Sequence, residues 1–483
     1  MDSAFEKKLD MGRIEQLLQH YQRDQPLRIF LCSPPDFRKT RIQKTLEIMS
    51  RNVPILPLLY LGSYLDMHGI SVFISEAETL SEMKKEIASF SPHIVGVTAT
   101  TSQIFQAFAI AHMVKVMDPH IIVVGGGPHM TFRYEEPPIE GEFDIVIRGA
   151  GELPLRALAD GHPLKTIPGI AFRKGGALYS LPPETLSSQE YNTFPPPAYY
   201  LLEDLDRYRK DVLLISSRGC PFRCSMCASS HIWGRHWVSQ HPETMISHLE
   251  AVLSQFQGIH NMILRYYDDT FTAHKPRIEH FLALLKKKKI HISFKCESRV
   301  DTFDNKLAHD LKTSGCTEVF FGIESGNQKF LNSIDKQITL NQIEKAVYAT
   351  HRHGLRVCGS LMIGYPGETL QNVRETIAYA KHLELDRMQL SILTPFPGTR
   401  LFTQAQEQGW ITTHDWNLYD GTYPVMHIDG ILEHQLVSLL KEGYLSFYLD
   451  PQYLLRQIKT GHLIQEGYGM EIVRAFLKYV STV

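Results

Sequence analysis

The feature that most constrains the fold is an alternation of short apolar runs, rich in β-branched residues, with longer amphipathic segments. This alternation predicts parallel sheets whose strands are joined by helical crossovers. Five runs precede residue 160 and six follow residue 205. We predict strands at Arg28–Ser33, Ile70–Ile74, His93–Thr98, His120–Val124 and Asp144–Arg148, and then at Val212–Ile215, Met262–Tyr267, His291–Cys296, Glu318–Gly322, Leu355–Met362 and Arg387–Leu393.

The two sets of strands divide the chain into domains of the α/β class. A chain of 483 residues exceeds what one hydrophobic core usually supports. Residues 1–160 are predicted to form a flavodoxin-like, doubly wound parallel sheet, and residues 206–405 a partial (β/α)6 barrel. Because proline interrupts regular elements, the proline-rich stretch 161–205 is predicted to be a linker. Residues 406–483 are predicted to be a helical C-terminal extension, with helices at Glu433–Asp450 and Gln465–Val483.

Charge and hydropathy restrict the partners. The formal net charge is −2 and the pI is about 6.9, so no overall field draws the protein to nucleic acid. The first residues lack the apolar core of a signal peptide, and no apolar run approaches the roughly 20 residues that span a bilayer. We therefore expect a cytoplasmic protein with no transmembrane segment and no nucleic-acid partner.

Three of the seven cysteines form a compact motif directly after the first barrel strand. Cys220, Cys224 and Cys227 stand where the loops of barrel enzymes supply active sites. Thiolates at this spacing can ligate three irons of a cubic cluster and leave the fourth iron open. A structural zinc site usually has four ligands, and the remaining cysteines are scattered singly. Three unrelated thiols would be the better explanation if no other motif accompanied them.

The spacing CxxxCxxC resembles the defining motif of the radical S-adenosylmethionine (SAM) superfamily. The resemblance implies that the three cysteines are catalytic and hold a [4Fe–4S] cluster. Gly322-Ile323-Glu324-Ser325 resembles the motif that binds the methionyl amine of SAM, and Arg299 the residue that meets its carboxylate. Residues 359–368 resemble the fifth-strand motif beside adenine, whereas Met226 replaces the usual aromatic. The SAM contacts that the resemblance implies are Phe222, Met226, Arg299, Glu324, Ser325, Gly359 and Ile363.

The first domain resembles the cobalamin-binding domain of cobalamin-dependent radical SAM enzymes. The family pattern GG-x-H-x-T stands at residues 126–131, and RGEGE stands at residues 148–152 with Ala150 in place of a glutamate. The DxHxxG motif is missing, so we expect no histidine below the cobalt. Glycines also serve the turns of any such sheet, and the residues alone leave the ligand open. The implied cobalamin contacts are Thr98, Thr100, Thr101, Ser102, Gly125, Gly126, Gly127, His129, Gly149, Ala150, Gly151 and Glu152.

Two further features allow more than one interpretation. Asp268 and Asp269 close the second barrel strand, where a carboxylate pair could contact substrate, transfer protons or support the structure. The stretch 394–399 resembles a segment common in cobalamin-type members, and we expect it to shape the substrate entrance. Cys296, Cys316 and Cys358 are predicted to be small buried residues rather than ligands.

The resemblance implies that reductive cleavage of SAM at the cluster yields a 5′-deoxyadenosyl radical. Three activities fit: a cobalamin-dependent methyltransferase acting on an unactivated carbon, an oxidative cyclase or rearrangement enzyme like the anaerobic magnesium-protoporphyrin ester cyclases, and a non-catalytic iron–sulfur or corrinoid carrier. We expect the first, although motifs do not separate it from the second. The third is disfavoured because a carrier has no use for Glu324 or Arg299. The implied partners are a small-molecule substrate and an electron donor such as flavodoxin or ferredoxin.

Overall fold

The structure is a computed structural model that describes residues 11–24, 26–35, 53–137, 142–174, 177–233 and 236–460. Its first sheet has the strand order β2-β1-β3-β4-β5-β6-β7, and β1 to β5 are parallel. The order 2-1-3-4-5 is that of a flavodoxin-like sheet, as predicted. The strands are β1 (Arg28–Cys32), β2 (Ser71–Ile74), β3 (Ile94–Thr98), β4 (Ile122–Gly126), β5 (Ile145–Ile147), β6 (Ile170–Lys174) and β7 (Ala177–Ser180).

The second sheet is the predicted six-stranded open barrel. All neighbouring strands are parallel, in the order β15-β14-β13-β12-β11-β8. A short antiparallel pair, β9 and β10, lies beside it. The strands are β8 (Val212–Leu214), β9 (Ser217–Arg218), β10 (Val238–Ser239), β11 (Leu264–Tyr266), β12 (Phe294–Ser298), β13 (Cys316–Glu324), β14 (Arg356–Ile363) and β15 (Arg387–Ile392).

Helices cover both sheets. Among the described residues, no helix is long and apolar enough to cross a membrane. The α-helices are Met11–Asp24, Leu56–Asp66, Leu80–Phe90, Ile104–Met117, Pro128–Phe132, Glu152–Ala159, Ser188–Tyr191, Ser229–Ile232, Pro242–Gln255, Lys275–Lys288, Asn305–Thr313, Gln328–Ser333, Leu340–Arg352, Leu370–His382, Arg400–Glu407, Glu433–Tyr448 and Pro451–Lys459. The helix predicted at Gln465–Val483 lies outside the described residues.

The stretch predicted as a linker contributes to the first sheet. Its strands β6 and β7 continue the sheet in antiparallel fashion beyond β5. Ile170, Ala171 and Phe172 are fully buried there. An apolar run of three residues is too short to stand out in a stretch with seven prolines, which is why the sequence alone did not reveal these strands.

Tyrosine hydroxyls cap the free edge of β15. The Tyr444 hydroxyl accepts a hydrogen bond from the Leu390 N–H at 3.0 Å and donates one to the Leu390 carbonyl at 2.8 Å. Tyr448 bonds in the same way to the backbone of Met388, at 3.1 and 3.0 Å. Both tyrosines belong to the helix Glu433–Tyr448, so the C-terminal extension satisfies backbone groups that an open edge would otherwise expose.

The opposite edge of the barrel is capped in the same manner. The Tyr199 hydroxyl accepts from the Leu213 N–H at 2.6 Å and donates to the Leu213 carbonyl at 3.0 Å. Tyr60, from the first domain, bonds to the N–H and carbonyl of Ile215 at 3.0 and 3.1 Å. The first domain is thereby joined directly to the first barrel strand.

The C-terminal segment also packs onto the first domain. Trp416 is 6% exposed and belongs to the same hydrophobic cluster as the buried face of that domain, together with Phe402 and Tyr419. Its ring lies edge-on to His129, with 5.2 Å between ring centroids. The C-terminal segment therefore contacts both the barrel edge and the first domain.

Candidate active site

The three-cysteine loop follows β9 at the carboxyl end of the barrel. Gly219 begins the loop with a φ of 78°, and a Cβ there would lie 2.1 Å from the His236 carbonyl oxygen, so only glycine fits. Cys224 is buried, and Cys220 and Cys227 are partly buried. Burial raises the pKa of the Cys220 thiol, and it raises the pKa of Cys227 to about 11.

The donor set of this loop fits a cluster rather than a single ion. All seven cysteines are free thiols, and the three of the motif lie on one short loop. Among the described residues, no three His, Cys, Asp or Glu side chains are placed to hold one metal ion. A cubic cluster requires a wider arrangement, because each thiolate binds a different iron. Cys220, Cys224 and Cys227 would hold such a cluster and leave one iron for another ligand.

Arg299 lies beside the loop. Its guanidinium nitrogen is 3.6 Å from the Cys224 sulfur, and its guanidinium carbon is 3.7 Å from the centre of the Phe222 ring. Two hydrogen bonds of 3.0 Å to Asp301 fix the orientation of the fork. A planar guanidinium held next to the cluster site suits a carboxylate ligand, which is the role that the sequence predicts for it.

Glu324 ends β13 in a left-handed backbone conformation, with a φ of 69°. A non-glycine residue in this conformation is strained, and such residues cluster at functional sites. Its buried carboxylate is 2.6 Å from the Lys336 ammonium nitrogen. A Cβ on Gly322 would come within 2.7 Å of both partners, so this glycine makes room for the pair. The carboxylate chemistry fits the methionyl amine of SAM.

The other predicted SAM residues are mainly packing residues. Ser325 is fully buried and accepts a hydrogen bond from the Asn327 N–H at 3.1 Å. A Cβ on Gly359 would lie 2.7 Å from Ile323 and Leu385, and Ile363 is fully buried. Met226 packs against the cluster that contains Tyr365.

Glu368 organises the loop after β14. Its carboxylate accepts the N–H groups of Gly364 and Tyr365, at 2.5 and 3.0 Å. The side chain is 1% exposed, and burial raises the pKa of Glu368 to about 7. The loop is therefore held by a carboxyl group that titrates near neutral pH.

A cavity of about 530 Å³ lies between the two domains, within the size range of ligand pockets. On one side it is bounded by the carboxyl ends of β3, β4 and β5, and on the other by β8, by Arg218 and Ser229, which flank the cysteine loop, and by Asp269. A Cβ on Gly126 or Gly151 would have no neighbouring atom closer than 3.7 Å, which is an ordinary contact distance. The backbone is therefore open to the cavity at these two glycines. A ligand as large as cobalamin can approach such a wall closely.

The predicted cobalamin contacts fall into two groups. Most of them line the cavity, whereas Thr100, Thr101, Ser102 and His129 are not among its lining residues. His129 is instead buried, 3.0 Å from Glu136. The described residues that line the cavity include no histidine. The predicted contacts that line it are Thr98, Gly125, Gly126, Gly127, Gly149, Ala150, Gly151 and Glu152.

The structure adds residues that were not predicted as contacts. Asp268 and Asp269 separate: Asp268 is buried and accepts hydrogen bonds from Ser216 and Ser217 at 2.6 to 2.7 Å, whereas Asp269 opens into the cavity. Partial burial raises the pKa of Asp269, which accepts hydrogen bonds from Ser229 and the Gly219 backbone. Alternation of side chains along a strand offers the only sequence signal for this split. Tyr60, Leu61, Arg218, Trp233 and Tyr267 also line the cavity.

Two protein-family models match the chain. A radical SAM superfamily model matches residues 214–380, and a B12-binding domain model matches residues 51–159. The uncharacterized methyltransferase PH0819 of Pyrococcus horikoshii is 37% identical over 448 residues, covering 90% of this chain and 95% of that protein. The anaerobic magnesium-protoporphyrin IX monomethyl ester cyclase of Rubrivivax gelatinosus is 26% identical, covering 88% and 79% of the two chains.

Solved structures share the fold. The cobalamin-dependent SAM radical enzyme OxsB, with aqua-cobalamin and SAM bound, aligns with a TM-score of 0.74 at 17% identity, covering 96% of this chain and 72% of OxsB. The radical SAM methyltransferase TsrM from Kitasatospora setae, with cobalamin and a [4Fe-4S] cluster, aligns with a TM-score of 0.66 at 18% identity, covering 80% and 76%.

Proposed function

Because this chain belongs to the cobalamin-dependent radical SAM enzymes, we propose that it transfers a methyl group from SAM to an unactivated carbon of a small molecule. The observation that carries the proposal is the cavity between the domains. Its wall includes both the glycine turns of the first domain and two residues that flank the cysteine loop, Arg218 and Ser229. A methyl carrier and a radical source would therefore act on one cavity.

The residues of this chain have distinct parts in the proposal. Cys220, Cys224 and Cys227 hold the cluster, which supplies the electron that cleaves the sulfonium of SAM. Arg299 and Glu324 orient the methionyl carboxylate and amine. The glycine turns bind cobalamin, which supplies a cobalt nucleophile that carries the methyl group. A cavity between the two domains would limit the access of water to a radical that would otherwise react unselectively.

Asp269 and Tyr267 are proposed to face the substrate. Tyr267 is 53% exposed although it follows an interior strand, and both residues line the cavity. Among the described residues, no basic side chain lies within ion-pairing distance of Asp269. Its carboxylate is therefore available to accept a hydrogen bond from a hydroxyl or amine of the substrate.

The proposed reaction balances with two electrons. One SAM loses its methyl group and leaves as S-adenosylhomocysteine. A second SAM gains an electron and gives methionine and the 5′-deoxyadenosyl radical, which takes a hydrogen atom from the substrate carbon. The methyl group would replace that hydrogen, and a second electron would be needed to return the methyl carrier to its starting state. We propose a flavodoxin or ferredoxin as the donor of both electrons.

Product analysis tests the proposal. The protein is reconstituted with iron, sulfide and hydroxocobalamin, and it is then given SAM and titanium(III) citrate under anaerobic conditions. We expect S-adenosylhomocysteine and 5′-deoxyadenosine together from the wild type, and no 5′-deoxyadenosine from Cys224→Ala. Equal 5′-deoxyadenosine from both proteins would refute radical catalysis at this loop.

The same experiment separates the alternatives. An oxidative cyclase or rearrangement enzyme, the activity named for the Rubrivivax relative, would give 5′-deoxyadenosine without S-adenosylhomocysteine. A carrier would give neither product. Cys296→Ala serves as the matched control, because this cysteine is buried in β12 away from the motif and its loss should leave both products unchanged.

A further inference from the structure

Glu152 was expected to contact cobalamin, but the structure gives it a partner in the other domain. Its carboxylate lies 2.5 Å from a guanidinium nitrogen of Arg218, and both side chains are less than 8% exposed. Glu152 begins a helix at the glycine turn of the first domain, and Arg218 ends β9, two residues before Cys220. A buried ion pair thus joins the two halves of the cavity wall.

The guanidinium of Arg218 is enclosed by aromatic rings from three other segments. Tyr191 and Trp233 lie 5.1 and 5.2 Å from its central carbon, and Phe194 and Tyr60 lie at 5.6 and 5.8 Å. Rings at these distances attract a cation and restrict its position. Aromatic side chains of the first domain, of the segment that follows it and of the segment after the cysteine loop therefore surround Arg218.

Neighbouring contacts make this point rigid on the barrel side. The Ser217 hydroxyl donates to the buried Asp268 at 2.7 Å, and the Ser217–Arg218 strand pairs with Val238–Ser239. At Gly219 only glycine fits, because of its close approach to His236. Arg218 therefore presents its side chain to Glu152 from a backbone that the barrel holds in place.

We infer that Glu152 and Arg218 are positioning residues that set the distance between the cobalamin turns and the cluster loop. They act on the transfer of the methyl group between the two cofactor sites, and cleavage of SAM at the cluster does not depend on them. The inference rests on the proposed function. A displacement of about 1 Å between reacting groups can cost up to about a hundredfold in rate, which gives the pair a measurable role.

The test compares Glu152→Gln, Glu152→Asp and Arg218→Lys with the wild type, after reconstitution with cluster and hydroxocobalamin. Two quantities are measured: corrinoid retained per chain after desalting, and the ratio of S-adenosylhomocysteine to 5′-deoxyadenosine. We expect retention within about threefold of wild type and a ratio lowered by about tenfold or more in Glu152→Gln. Glu152→Asp keeps the charge but shortens the side chain, so its product ratio should lie between those of the wild type and Glu152→Gln.

Asp160→Asn is the matched control. Asp160 follows the same helix and pairs with Arg156 at 2.6 Å, but this pair is partly exposed and lies on the surface. Its removal should leave the ratio unchanged. Melting temperatures identify variants that do not fold. If Glu152→Gln does not fold, the product ratios of Glu152→Asp and Arg218→Lys test the inference.

Three results would overturn the inference. A ratio within twofold of wild type in all three variants would show that the pair does not set the geometry. If the corrinoid retained per chain fell by the same factor as the product ratio, Glu152 would be a direct cobalamin contact. A parallel fall of both products at constant ratio would make the pair purely structural. Absence of S-adenosylhomocysteine from the wild type would instead refute the proposed function.

Discussion

At the scale of single residues, the site depends on buried charged side chains that pair with side chains of opposite charge. Glu324 is paired with Lys336, Glu152 with Arg218, and Arg299 with Asp301. Removing one partner of such a pair leaves an uncompensated charge in the interior, which typically costs about 3–5 kcal/mol. Glu368 differs because backbone N–H groups hold its carboxylate, and no cation among the described residues pairs with it.

Glu368 should make stability depend on pH. Its pKa of about 7 in the folded protein exceeds the value of about 4.3 expected after unfolding. The folded state therefore retains its proton longer, and stability falls as pH rises from about 4.3 to about 7, by up to about 3 kcal/mol. Glu368→Gln should remove this loss, as measured by melting temperatures at pH 5 and pH 8.5.

Glu375→Gln is the control for this experiment, because Glu375 is exposed on the following helix and should leave the pH dependence as in wild type. If Glu368→Gln and wild type lose stability in parallel between the two pH values, another group is responsible for the loss.

At the scale of elements, the open barrel depends on its edge caps. A phenol hydroxyl that both accepts and donates replaces two backbone bonds of a missing neighbouring strand. Net stabilisation per hydrogen bond is about 0.5–1.5 kcal/mol, and leaving a buried backbone group unpaired costs about 1–3 kcal/mol.

Tyr448→Phe should therefore destabilise the protein by about 2–4 kcal/mol, because it leaves the N–H and carbonyl of Met388 unpaired in a buried position. Tyr348→Phe is the control, since Tyr348 is 67% exposed. Denaturant melts measure both variants. Equal stability of Tyr448→Phe and wild type would show that water replaces the hydroxyl at this edge.

How far the sequence predicted the elements depends on the range of the interactions. Strands such as β4 and β13 were predicted within a few residues, because apolar alternation is a local signal. The cysteine loop was predicted from its spacing. The Tyr60 cap joins residues 155 positions apart, and the Arg218–Glu152 pair joins residues 66 positions apart. No local pattern encodes such contacts, and a glutamate at a glycine turn is equally compatible with binding a ligand.

At the scale of the whole molecule, the last barrel loop and the segment after it contact the first domain. The loop 394–399, expected at the substrate entrance, approaches the first domain so closely that a Cβ on Gly398 would lie 2.2 Å from the Phe132 ring. Trp416 continues this contact into the core of the first domain. The N-terminal sheet is consequently held from both sides, by the barrel and by the C-terminal segment.

Trp416→Ala should show how strongly the C-terminal segment is held against the first domain. Loss of a large buried side chain typically costs about 3–5 kcal/mol, and here the cost falls on the contact between the first domain and the C-terminal segment. We expect a lower melting temperature and faster limited proteolysis within residues 400–430. Leu455→Ala is the control, since Leu455 is 57% exposed. Proteolysis at the wild-type rate would show that the segment is held by other contacts.

The tyrosine caps have a consequence for the architecture of the barrel. A seventh and eighth strand would close the cylinder and wall it off, whereas a phenol ends the sheet without extending it. The six-stranded sheet therefore stays open between β8 and β15. At the β8 edge the cap includes Tyr60 of the first domain, so the hydroxyl that ends the sheet also attaches the second cofactor domain to the barrel.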